Sequence, residues 1–108
     1  MPKLPDSSQL IDDLKSCGAH IRLRKSGQVH TLDFSHSDPR PDDSQIASLR
    51  DLQSLEVLDC QDAPITDTSI DSLLAHQGLK LLTLTGTNIT TEGLKRLRQN
   101  MIGCRIVV

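Results

Sequence analysis

One stretch of this chain is written twice, and nothing else in it so narrows what it can fold into. LEVLDCQDAPITDTSIDSLLAHQG, beginning at Leu55, is followed at once by LKLLTLTGTNITTEGLKRLRQNMI. Leu55 corresponds to Leu79, Leu58 to Leu82, Cys60 to Leu84, Ile65 to Ile89, Ile70 to Leu94 and Leu73 to Leu97, each pair 24 residues apart. A unit this short cannot bury an apolar face by itself, so neighbouring units must stack on a common interior. The period points to an architecture and to one class of work, presenting a surface, without naming a partner.

The same pattern extends in both directions. Val29, Leu32 and Phe34 stand 26 residues before Leu55, Leu58 and Cys60, whereas Ile46 and Leu49 stand 24 before Ile70 and Leu73. Two extra residues therefore fall within Ser35 to Pro41, which reads as a widened loop stiffened by proline. Ile106 and Val108 lie 24 beyond Leu82 and Leu84, so Cys104 to Val108 reads as a further strand. The organisation expected is a single domain over 1–108, with a cap at 1–28, repeats at 29–54, 55–78 and 79–102, and a terminal strand at 103–108.

Local signals fill in each unit. Met1 to Pro5 reads as a frayed arm, after which Asp6 or Ser7 caps a short helix carrying Leu10, Ile11 and Leu14 on one face, with Gly18 as its stop. Ala19 to Arg24 alternates, with Ile21 and Leu23 facing one way. With Val29 to Phe34 it forms a β-hairpin centred on Ser26 and Gly27. Asp42 to Gln45 is a capping box, and Thr66 and Thr90 occupy the capping place in later units. The spacing predicts helices over about 43–50, 67–75 and 91–99.

Phe34 is the only aromatic residue among 108, with no Trp or Tyr. Base-stacking platforms and large aromatic anchors are thus missing. Cys17, Cys60 and Cys104 are widely spaced and odd in number, which fits a reducing compartment. The absence of a signal-like or bilayer-length apolar run makes a soluble cytoplasmic protein the expectation. Charge is segregated. Residues 1–28 carry five basic and three acidic side chains, 29–78 two against ten, and 79–108 five against Glu92 alone. In a stack of repeats, order along the chain is order along the axis, so the middle is acidic and both ends basic.

The L-x-x-L-x-L-x-G-T-x-I-T-x-x-G-L-x-x-L pattern of Leu79 to Leu97 resembles the bacterial leucine-rich repeat proteins with 24-residue units. The resemblance covers about Val29 to Val108, and the Leu10 to Leu23 segment is similar to their amino-terminal cap. It implies an α/β right-handed solenoid, a short horseshoe with a parallel sheet on its concave face. It implies protein-protein recognition there, with no catalytic residues. Two departures stand out: Pro41 replaces the isoleucine of Ile65 and Ile89, and Ser37, Ala63 and Thr87 replace the usual asparagine after the strand. The loop backbone must then find other partners.

Strand side chains alternate between faces, so the residues between the core leucines point outward. Stacked, they give one column of Thr31, Val57, Leu81 and Arg105 and another of Asp33, Asp59, Thr83 and Val107, with Asp62 and Glu56 near the acidic half. The candidate partner-binding residues are Asp33, Val57, Asp59, Asp62, Leu81, Thr83 and Arg105. An apolar pair beside a carboxylate row suits a basic, partly aliphatic protein or peptide and repels nucleic acid. Strand propensity and solubility account for the same residues without a partner. The apolar Arg105 to Val108 edge also suits strand pairing, in a homodimer or with a partner.

A second class of function rests on His30, Asp33 and His36, the one compact group of possible ligands, as a small metal-binding or ligand-binding protein built on the His30/His36 loop. His30 and Asp33 are three apart on a strand and so point to opposite faces. No enzyme activity, cofactor or metal is expected. Cys60 takes a core leucine position, and His20 and His76 read as surface residues.

Overall fold

A computed structural model describes residues 8–25, 27–38 and 40–108. The arm at Met1 to Pro5, the cap at Asp6 or Ser7, and Ser26 and Pro39 lie outside these residues. Helix α1, Ser8–Ser16, stops on a left-handed Gly18 (φ +88°), where Gly18 N–H bonds the Lys15 carbonyl and Ala19 N–H bonds Leu14. Those paired reverse bonds satisfy carbonyls the helix end would leave bare. Strand β1, His20–Leu23, then pairs antiparallel with β2, Val29–Asp33.

From β2 onward strand and helix alternate: α2 (Asp43–Ser48), β3 (Val57–Asp59), α3 (Ile70–Leu74), β4 (Leu81–Thr83), α4 (Thr91–Asn100) and β5 (Arg105–Val107). The result is a small α/β protein with one five-stranded sheet in chain order β1 to β5, parallel from β2 on. Each crossover carries a helix, the usual connection between parallel strands. The sequence spacing predicts unbroken helices at 43–50 and 67–75, whereas here 3-10 turns take part of each: Leu49–Asp51 follows α2 and Asp67–Ser69 precedes α3. Five or six residues make too short an α-helix to hold its ends without tighter turns.

The 24-residue offset is visible in the ladder. Leu32, Leu58, Leu82 and Ile106 are register partners, and the first three are fully buried. Phe34, Cys60 and Leu84 form a second buried row, closed on the helix side by Ile46, Leu49, Ile70, Leu73 and Leu97. Pro41 is buried where the isoleucine was expected. The missing asparagines are replaced by a common backbone closure: Ser37, Ala63 and Thr87 each donate N–H to the carbonyl three residues earlier. The Ser37 and Thr87 hydroxyls bond the same oxygens.

Two placements differ from expectation. Leu23 is 46% exposed, because a register shift between Arg22 and Leu23 turns it out of the face it would share with Ile21. His76 is not on the surface. It is 3% exposed, standing 24 residues after Leu52, and one ring nitrogen lies 3.2 Å from the Leu52 carbonyl. Among the described residues no helix is long and apolar enough to cross a membrane.

Candidate protein-binding face

The sheet face opposite the helices is built by alternation. Thr31, Val57, Leu81 and Arg105 are consecutive register partners, and Asp33, Asp59, Thr83 and Val107 form the row beside them. The antiparallel hairpin lengthens both rows, since Arg22 pairs with Thr31 and His20 with Asp33. Six of the seven candidate residues, Asp33, Val57, Asp59, Leu81, Thr83 and Arg105, therefore share this face. All but the exposed Arg105 are partly covered by their neighbours.

Asp62 stands apart from the rows, on the turn after β3. It adopts a left-handed backbone (φ 61°), its N–H bonds Thr85, and its carboxylate lies over Gly86. Gly86 is itself left-handed (φ +78°), and a Cβ there would fall on the Asp62 carboxylate. The loop thus needs glycine twice over, for its backbone angle and for the space.

Asp33 and Asp59 are held alike. One carboxylate oxygen of Asp33 accepts the Ser35 N–H at 2.8 Å, and one of Asp59 accepts the Gln61 N–H at 3.0 Å. Burial pushes the Asp33 carboxyl up, but hydrogen bonds from Ser35 and the nearby His20 and His36 outweigh it and hold the carboxyl below its usual range. No Lys or Arg among the described residues pairs with Asp33, Asp59 or Asp62.

Glu56 behaves otherwise. It lies between Arg24 at 2.7 Å and Lys80 at 3.1 Å, and the Lys80 hydrogen bond leads the effects that lower its carboxyl. Its charge is largely spent within the molecule, so the acidic patch is Asp33, Asp59 and Asp62 without Glu56.

The histidines do not assemble as the loop reading expects. His30 sits at the register shift, with Nδ1 2.7 Å from the Thr31 hydroxyl, and contributes to the field at Glu56. His36 instead approaches His20, ring centres 6.0 Å apart, at the Asp33 end of the second row. The His20 to Asp33 pairing was open to inference from the hairpin register. Among the described residues no group of three His, Cys, Asp or Glu side chains is placed to hold a metal ion. Cys60 is buried, which with the Asp59 charge pushes its thiol up to about 12.

Comparison with protein-family models, curated proteins and solved structures found no match to this chain.

Proposed function

We propose that the chain is a leucine-rich-repeat solenoid whose open sheet face binds a protein segment bearing basic and aliphatic side chains, without catalysis. The observation that carries this reading is the register. It sets Val57 beside Leu81 in one row and Asp33 beside Asp59 in the next, with no Lys or Arg among the described residues pairing with either aspartate. Two carboxylates on neighbouring strands repel one another, and a partner cation relieves that repulsion. Val57 and Leu81 supply an apolar contact that a strand-like or extended segment can cover. The same negative patch repels phosphates, which argues against nucleic acid.

A labelled peptide alternating lysine and valine tests the reading. Asp33→Asn with Asp59→Asn keeps an oxygen for the Ser35 and Gln61 N–H groups and removes only the charge. Val57→Asn with Leu81→Asn removes the apolar pair without adding charge. Salt-sensitive binding that weakens in both double variants is the expected result; affinity unchanged by either would place the partner elsewhere.

A further inference from the structure

The flank of α3 that receives α4 has an uncovered counterpart on α4 itself. Asp67 and Ile70 approach so near that a Cβ on Gly93 would stand 2.5 Å from Asp67 Oδ1 and from Ile70 Cδ1. Arg96 donates to Asp71 at 2.7 Å across the same junction. Twenty-four residues on, Thr91, Leu94 and Lys95 occupy the equivalent places, and with Arg98 and Gln99 they line a depression of about 310 Å³.

Burial follows the same series. Ile65 and Ile70 are buried, whereas Ile89 and Leu94 are only partly so; Leu58 and Leu82 are buried, whereas Ile106 is only partly so. Strand β5 is the outer strand of the sheet. Arg105 N–H bonds the Lys80 carbonyl and Val107 C=O accepts the Leu84 N–H, at the two ends of β4, so alternation directs the Ile106 N–H and C=O to the open side. Ile102 and Val108, on either side of the strand in sequence, are 89% and 57% exposed.

Charge selects the occupant. The α3 flank offers Asp67 and Asp71 to a helix bearing Arg96, but the α4 flank offers Lys95 and Arg98, with Arg105 on the adjacent strand. We propose that this end of the sheet docks an extended acidic segment of another protein as a sixth strand beside β5. On its helix-facing side, aliphatic side chains cover Ile106 and Leu94 and carboxylates reach Lys95 and Arg98; carboxylates on its other side meet Arg105. A second copy docking the same end would set these cations against each other. The outer strand at the opposite edge, β1, carries Arg22 and is followed by Arg24 and Lys25, so head-to-tail pairing is no better matched. Apart from Arg105, this site shares no residue with the candidate face, and it does not depend on the aspartates there.

The test titrates the isotope-labelled 108-residue chain with a peptide repeating Glu-Glu-Val-Val, which puts both kinds of side chain on each side of a strand, beside a peptide repeating Lys-Lys-Val-Val as control. Saturable shifts of α4 and β5 amides with the acidic peptide alone, and slowed exchange of the Ile106 N–H, are expected. Lys95→Glu with Arg98→Glu, both on the exposed side of α4, should weaken binding at least tenfold while amide shifts in β2 and β3 stay unchanged. Ile106→Pro removes the outward donor without touching the bonds to β4 and should weaken it too. No saturable response at this end, or equal response to the lysine peptide, overturns the proposal. So does concentration-dependent dimerisation that protects Ile106 in the absence of peptide, since that makes a second copy the occupant.

Discussion

Asp43 grips Thr66 across 23 residues, accepting its backbone N–H at 2.9 Å and its hydroxyl at 2.8 Å. Asp67 makes the same two bonds to Thr90, again 23 residues on. Thr66 and Thr90 in turn cap the helical turns that follow them through Thr68 N–H and Gly93 N–H. Each aspartate therefore fixes the start of the next unit's helix, and the pair of contacts ties three successive units together. Thr91 stands at the next such position, so the ladder has two rungs among the described residues.

Asp43→Ala should be costly. It removes charge-assisted bonds to Thr66 and to the Ser69 hydroxyl, and hydrogen bonds to a charged group contribute about 1.5 to 3 kcal/mol. Asp67→Ala should cost less, because Asp67 is exposed and the place of Ser69 is taken by Gly93, which has no hydroxyl. Urea unfolding of the two variants checks the order.

Acid should destabilise the protein in two stages. Burial pushes the His76 imidazole below its usual 6.5, against a smaller opposing effect of the Leu52 carbonyl. Below pH 6.5 the unfolded chain therefore takes up a proton the folded one refuses, and stability falls as pH falls. Asp43 and Asp67 act lower down. Burial raises Asp43, but its Ser69 and Thr66 hydrogen bonds outweigh that, and Thr90 lowers Asp67, so both lie below the usual 3.8. Their contribution is present above pH 3.8 and disappears as pH drops through the folded-state values. His76→Leu, which copies the residue at Leu52, should flatten the first stage in a pH series of melting temperatures and leave the second.

Gly93→Ala should destabilise despite alanine's helix preference of about 1 kcal/mol. The new methyl group would press on Asp67 and Ile70, and overpacking of this kind costs about 1 to 3 kcal/mol. Thermal unfolding of the variant decides the sign, and an increase in stability would mean that α3 and α4 can separate freely.

Cys60 should resist alkylation. A buried thiol pushed up to about 12 offers almost no thiolate near neutrality, whereas Cys17 and Cys104 are partly accessible. Mass spectrometry after iodoacetamide treatment at pH 8 should find Cys60 unmodified until denaturant is added.

The strands, their register and the helix positions were legible because Leu58, Leu82 and their counterparts repeat at one spacing, and spacing alone puts them on one face. The candidate rows followed from the same alternation. Leu23 was not legible, since the register shift beside it depends on how two strands meet rather than on either one. Polarity alone puts His76 at the surface, although the 24-residue offset to Leu52 marks an interior position. Sequence places Glu56 with the free acids, because no local pattern reveals that Arg24 and Lys80, 32 and 24 residues away, converge on it. The aspartate grips at Asp43 and Asp67 were open to discovery, since both they and their threonine partners recur at 24.

Those grips run one way, each reaching toward residues still to come. At a synthesis rate of about 5 to 20 residues per second, Thr66 follows Asp43 off the ribosome by about 1 to 5 s. A nascent unit therefore waits, its carboxylate in water, until its successor emerges to close the latch. Neither latch can close before its threonine has emerged, so during synthesis the Asp43 contact becomes available before the Asp67 one.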